Sequence, residues 1–291
     1  MEFFVSTLLF GISVGGQYAL IAIGYTMVYG ILRLINFAHG DVFMVAGLMM
    51  VYLSAALPLY AAVPLVLLLT VALGFVIERV AYKPLRSAPR MSVMISAIGV
   101  SYLLQNCALY FTGGLPQIYP TIPFLSEQVQ IGSATTKMVT IITPILTIVL
   151  VLLLVLMIKR TKTGMAMRAV SRDFETSELM GIKINNVISM TFVIGCFLAA
   201  IGSLLYFTNY NSVIPTSGAM PGLKAFVAAV FGGIGSVPGA VIGAFIIGIC
   251  ENIIKGLGLT EFSDAFTFVL LIVILLVKPT GIFGEKSTDK V

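Results

Sequence analysis

Charge is what this sequence has least of. Of 291 residues, 17 are Lys or Arg and 12 are Asp or Glu, so charged side chains make up 10% of the chain while 59% are hydrophobic. A soluble domain carries about 25% charged and about 45–50% apolar residues. No soluble fold of this length could hide so much apolar side chain, whereas a bilayer accepts helices that are apolar all round. Mean hydropathy is +1.07. Histidine is scarce too, with His39 alone. Metal sites and histidine acid–base chemistry need partners at defined spacing, and Asp41 is the one such neighbour nearby. His39 is therefore expected to make a structural cap or interface hydrogen bond. The three cysteines, Cys107, Cys196 and Cys250, have neither pairing nor metal-ligand spacing and read as small buried hydrophobes. No metal site is expected. Basic residues are missing before Arg33, so there is no basic n-region of a cleaved signal, and the first apolar stretch reads as a retained span. The phosphate-binding pattern Gly-x-x-x-x-Gly-Lys-Ser/Thr is also missing, which leaves the chain without a nucleotide-hydrolysing site of its own.

What the chain has is long apolar runs. They are continuous rather than ten-residue alternations, and so read as helices, since only helices and closed barrels satisfy their backbone in lipid. The predicted fold class is an all-α polytopic transmembrane helical bundle of about 8 spans. The spans are 4–30, 40–57, 60–80, 92–112, 138–158, 187–209, a broken or re-entrant region near 224–254, and 262–278. All 291 residues form one membrane domain. The net charge of +5 points to no nucleic acid, because its placement is that of loops. Arg79, Lys83, Arg86 and Arg90 form one cluster, and Lys159, Arg160, Lys162, Arg168, Arg172 and Lys183 a second. Lys and Arg collect on cytoplasmic loops, so 81–91 and 159–186 are expected inside and 113–137, with Lys137 alone, outside. Lys278, Lys286 and Lys290 favour a cytoplasmic tail. That agrees with an outside N-terminus only if 224–254 goes in and turns back.

Residues 231–239 read Phe-Gly-Gly-Ile-Gly-Ser-Val-Pro-Gly, a composition that breaks any helix. Two readings are open: a broken helix lining a wet cavity, as in many transport sites, through Gly232, Gly233 and Gly235, or a tight turn with close packing of small residues. Polar side chains inside spans are site candidates by default. These are Gln17, Tyr18 and Tyr25 on the first span, Asn36 in the following turn, and Gln105 and Asn106 on the fourth. Gln17 is either path-lining or interhelical glue, and the tyrosines either ligands or packing anchors. Asn36 and Asp41 are expected to cap helix ends, and Glu78 and Arg79 to snorkel at a span end.

The loop 159–186 is the most informative polar segment. Residues 165–170 favour helix, and 173–180 form a second short helix with Asp173 as N-cap and Gly181 as C-terminal stop. Two short capped helices carrying acids at Asp173, Glu175 and Glu178 make a docking surface, against the plainer reading of a basic loop resting on anionic lipid.

At this level of detail the chain resembles a known family. Gly16-Gln17-Tyr18-Ala19-Leu20-Ile21-Ala22, Tyr29-Gly30 and Ile35-Asn36-Phe37-Ala38-His39-Gly40-Asp41 are similar to the N-terminal signature of LivH-type branched-chain amino acid permeases of ATP-binding-cassette importers. Arg160-Thr161, Gly164, Arg168-Ala169-Val170 and Leu179-Met180-Gly181-Ile182 resemble their coupling loop. Gly222-Leu223-Lys224-Ala225-Phe226, Gly232-Gly233-Ile234-Gly235-Ser236 and Pro238-Gly239-Ala240 resemble their C-terminal signature, and Lys278-Pro279-Thr280-Gly281-Ile282-Phe283-Gly284 their ending. Lys278 stands where arginine is common.

The resemblance implies a permease without enzymatic activity in a prokaryotic inner membrane. Its partners would be a second related permease, two cytoplasmic ATPases that use ATP and Mg, an extracytoplasmic binding protein, and membrane lipid. Residues 168–182 would be the coupling element, with Arg168, Asp173, Glu175, Glu178 and Gly181 at the ATPase contact. Leucine, isoleucine and valine are the expected cargo, since the spans are aliphatic with few amides. Urea or short amides, carried by relatives with the same signatures, are the alternative. An ion-coupled carrier or channel would be expected to show clear intramembrane acids, and an intramembrane enzyme a nucleophile with its base or paired acids. Neither pattern is apparent in the sequence.

Overall fold

A computed structural model describes residues 2–86, 88–131 and 134–284. The basic tail residues Lys286 and Lys290 lie outside the described residues. Among the described residues the architecture is helical: α1 (Glu2–Leu32), α2 (His39–Ala56), α3 (Leu59–Ile77), α4 (Arg90–Thr112), α5 (Pro123–Ser126), α6 (Met138–Arg160), α7 (Lys162–Arg172), α8 (Phe174–Leu179), α9 (Ile184–Tyr210), α10 (Ala219–Gly232), α11 (Val237–Gly256) and α12 (Phe262–Val277). Seven of these are long and apolar enough to cross a membrane, namely α1, α2, α3 with its continuation to Leu85, α4, α6, α9 and α11. Six of the predicted spans reappear among these to within a few residues, whereas 262–278 reappears as α12, which at 16 residues falls short of that length.

The two loops expected on opposite sides lie at opposite ends of α9. At one end, β1 (Gln117–Ile118) pairs antiparallel with β4 (Ser212–Val213), and Lys137 Nζ donates to the Asn209 carbonyl at 3.1 Å. A second hairpin, β2 (Gln128–Ile131) with β3 (Ala134–Lys137), belongs to this end. At the other end sit α7, α8 and the basic residues after α3. The broken region resolves as a hairpin. α10 and α11 are antiparallel helices joined by residues 233–236, with Gly233 at φ +110° and Gly235 at φ +100°, a backbone that glycine adopts without strain. α10 has 14 residues, about 21 Å of helix, too short for a hydrocarbon core of about 30 Å. The turn lies beside Gly30 near one end of α1 and Gly256 beside Thr7 near the other, so the region goes in and turns back, the course that the tail charges favour.

α1 is the axis of the bundle, packed most extensively on α11 and α9. Its Gly11 and Gly15, spaced Gly-x-x-x-Gly, meet α11 backbone to backbone. A Cβ on Gly15 would stand 2.8 Å from Phe245 Cα, and one on Gly248 2.4 Å from Gly15 Cα. Small residues at four-residue spacing are how membrane helices approach closely without a hydrophobic drive. By contrast α4 and α6 are the least buried of the spanning helices. They turn Tyr102, Leu103, Leu152 and Leu156 outward, the inverse of a soluble protein and what lipid contact requires. Cys107 is on this exposed face, while Cys196 is buried. The expectation of three buried cysteines thus fails at Cys107, because α4 packs on so little.

Candidate transport core and the α7–α8 hairpin

The connection after α1 does not stay at a membrane surface. Arg33, at φ +55°, reverses the chain, and residues through His39 fold back into the bundle, leaving Asn36, Ala38 and His39 at most 2% exposed. His39 lies over Gly24 of α1, and its ring meets Tyr25 edge-on at 5.2 Å. Gly24 is eight residues before the end of α1, so α2 begins about 12 Å inside that end. The start of α10 meets it there: a Cβ on Gly40 would be 2.6 Å from the Gly218 carbonyl and 3.0 Å from Gly222 Cα. The first turns of two helices therefore touch within the bundle.

Three polar networks surround this point. The first ties four helices together. Tyr18 Oη of α1 donates to Glu251 Oε2 at 3.0 Å, Lys224 Nζ of α10 to Glu251 Oε1 at 2.7 Å, and Lys224 also pairs with Asp264 of α12. Lys255 pairs with Glu251 from the next turn. Glu251 is fully buried and the Lys224 side chain 6% exposed, so each charge persists only because it is paired. The sequence showed no paired intramembrane acid. The fold brings Glu251 and Asp264 together on Lys224, and with Lys255 the two acids face two lysines.

The second network is at the basic end. α3 leaves α-geometry at a π-helical turn, Glu78–Tyr82, followed by a short 3-10 turn, Lys83–Leu85. Such a turn shifts the side chains that follow it around the helix and is frequent at functional sites. Glu78 is fully buried, not snorkelling. It pairs with Arg86 and accepts from Ser189 Oγ of α9 at 2.8 Å. Arg79 does reach outward, its guanidinium 5.0 Å above the Phe75 ring. Tyr82 Oη donates to Asn36 Oδ1 at 2.7 Å, and that oxygen also accepts the Ala38 N–H at 3.2 Å. Asn36 thus fixes the turn but caps no helix, since the N-cap of α2 is Ala38 without a side-chain bond. Burial pulls the Arg86 guanidinium below its usual pKa, partly offset by Glu78.

In the third network Asp41 accepts from Ser101 Oγ and from Gln105 Nε2 at 3.0 Å, joining α2 to α4. Asp41 is therefore an interhelical acceptor rather than the expected cap. The remaining sequence candidates divide. Gln17, on the α1 face towards α9, is fully buried, with Nε2 3.5 Å from the Leu205 carbonyl and Oε1 without a partner. Asn106 is on the outward side of α4, its amide turned back to the Tyr102 carbonyl at 2.8 Å. Gly232 packs on Gly239 and Gly233 on Gly284, placing this part of the glycine run in a tight turn against the C-terminal segment. Gly235 faces open space in the same turn.

The α7–α8 hairpin has the predicted cap at Asp173 and a further one, not predicted, at Thr161. The Thr161 side chain accepts the Gly164 N–H at 3.1 Å at the start of α7, and Asp173 accepts the Thr176 N–H at 3.1 Å at the start of α8. Gly181 ends the second helix at φ +82°. Met167 and Val170 of α7 are buried. Outward go Arg168, Glu175 and Glu178 together with Met165 (63% exposed), Leu179 (87%) and Met180 (79%).

Comparison with known proteins gives this arrangement a family. Residues 7–275 match the one described as branched-chain amino acid transport system, permease component. The chain belongs to this permease family. It is 41% identical to the high-affinity branched-chain amino acid transport system permease protein LivH of Escherichia coli, with 99% of this chain and 98% of the relative covered. It is 39% identical to the corresponding protein BraD of Pseudomonas aeruginosa, with the same coverage. The ribose import permease RbsC of Haemophilus influenzae is 26% identical over 88% of this permease and 79% of its own length. The permease is thus a multi-pass membrane transport protein.

Two parts of this core were missed in the sequence. Lys224 stood unpaired in an apolar run, and Glu251 with Lys255 at i,i+4 was a visible pair. A buried lysine demands an acid, and that demand was the available signal. The π-helical turn carried no such signal.

Proposed function

We propose that this permease moves branched-chain amino acids into the cytoplasm across a prokaryotic inner membrane as part of an ATP-binding-cassette importer. The α7–α8 hairpin is where a partner ATPase docks. The observation that carries this reading is the hairpin's exposed apolar cluster. Met165, Leu179 and Met180 are more than 60% exposed on two capped helices at the basic end of the bundle. An apolar surface with charged neighbours marks a protein-binding site more than a lipid-resting loop. The cargo is inferred from relatives of about 40% identity that carry it, and from an aliphatic interior. A second related permease and an extracytoplasmic binding protein complete the assembly. The internal polar face of α1, with Gln17, Tyr18 and Tyr25, and the Asn36 turn are the path candidates on this reading, joined by Gln105 through its bond to Asp41. Among the candidates on polar side chains, Asn106 is the least suited, because it faces outward.

The test is uptake of labelled leucine into proteoliposomes holding the permease pair, ATPases and binding protein, with labelled urea in parallel. Leucine uptake that needs ATP and resists an uncoupler is expected. Urea uptake without leucine uptake would overturn the cargo, and uptake driven by an ion gradient without ATP would overturn the mechanism.

A further inference from the structure

Between the hairpin and the membrane helices lies a cavity of about 660 Å³. Its size is in the range of small-molecule sites, which combine apolar walls with a few convergent polar groups. The walls are Leu34 from the turn after α1, Val93 of α4 and Ile188 of α9. The polar groups include two cations, Arg86 and Lys183, one acid, Glu178, and the amides of Asn185 and Asn186. Arg86 is held in place by Glu78 and Asn185, and its Nε is buried with no hydrogen-bond partner. Each of the two terminal nitrogens carries a second N–H, and the Arg86 side chain is 20% exposed, so Arg86 keeps donors for an acceptor in the cavity.

From this geometry we infer that the cavity is a cytoplasmic binding site for a free aliphatic α-amino acid. This inference rests on the proposed import function but assigns a site separate from the path. A carboxylate meets Arg86 and the Asn185 amide, the ammonium meets Glu178, and a branched side chain lies on Leu34, Val93 and Ile188. A phosphate or a lipid headgroup phosphate would bring no cation to meet Glu178. A bare hydrocarbon would leave the polar groups unsatisfied. Glu178 and the neighbouring Gly181 and Ile182 belong to the hairpin, whereas Arg86 and Val93 belong to the membrane core. A ligand that bridges them favours the hairpin position seen here over any other. Accumulated product then slows import by restraining the element that docks the ATPase.

The test uses proteoliposomes of the complete importer with ATP enclosed, either with or without leucine in the lumen. Uptake without enclosed leucine tests the import reading alone. Enclosed leucine is expected to slow both initial uptake and ATP hydrolysis by about fivefold or more. Two variants separate the site from a general product effect: Asn185→Asp, which keeps the acceptor for Arg86 but repels a carboxylate, and Leu34→Phe, which fills the wall. Both are expected to keep the uninhibited rate when leucine is enclosed. No slowing in the parent protein, or equal slowing in both variants, would overturn the inference while leaving import standing. If uptake fails without enclosed leucine, the import reading falls. Labelled leucine retained by the solubilised permease assembly, without binding protein, then decides the site: retention lost in Asn185→Asp supports it, and no retention by the parent overturns it.

Discussion

The α1–α11 seam and the α7–α8 hairpin are built on opposite plans. In the seam, glycines bring backbones into contact, and Glu251, fully buried, accepts from Tyr18, Lys224 and Lys255. In the hairpin, the local work is done by caps at Thr161 and Asp173, one face is anchored through Met167 and Val170, and Leu179 and Met180 are left bare. A region whose groups are paired holds shape; one that satisfies its backbone yet exposes apolar side chains has surface left over, which is the basis of the proposed docking. The second polar network, around Glu78, stands between these plans. Its acid is buried, but its arginine borders a cavity.

The contrast can be broken in four places. Glu251→Leu strips Lys224 and Lys255 of their shared acid inside the bundle and is expected to destabilise by about 3–5 kcal/mol, read as a lower unfolding temperature in detergent. The double variant Lys224→Met/Glu251→Leu should recover part of that loss. A neutral Glu251→Leu would show that the seam is not clamped by charge. Gly248→Ala puts a methyl where α1 backbone already stands and should cost about 1–3 kcal/mol by the same measurement. Leu179→Asp should leave the unfolding temperature unchanged and weaken ATPase binding about tenfold, near 1.4 kcal/mol, measured by titrating the ATPase onto the solubilised permease pair. A shifted unfolding temperature would place Leu179 in the bundle's own packing. Asp173→Ala removes a cap worth about 1 kcal/mol and should speed amide exchange in 174–180 while the seam remains protected.

The spans were legible because they rest on composition and length, and the hairpin because Asp173 and Gly181 act within a few residues of themselves. The reversal at 233–236 was legible from a conflict, since the tail charges and span count disagreed unless 224–254 went in and turned back. The networks were not. Glu78 finds Ser189 across 111 positions, and Tyr18 finds Glu251 across 233, pairings that no local pattern encodes. The glycine run 231–239 showed why the two readings could not be separated: the same residues serve a cavity or a tight turn, and only the approach of Gly281 and Gly284 to Gly233 distinguishes them. The Gly11–Gly15 spacing was present throughout but gains meaning only when Ala244 and Gly248 of α11 are set against it.

The most direct measurement is site-directed cross-linking at the hairpin of the assembled importer. In a background with the three native cysteines replaced, Leu179→Cys paired with cysteines on the ATPase surface should form cross-links that stop ATP-driven leucine uptake. A cysteine at Leu152, on the outward face of α6, should form none. Full leucine uptake after cross-linking, or the absence of any cross-link at residue 179 in a complex that transports normally, would contradict the assignment of the hairpin as the coupling element.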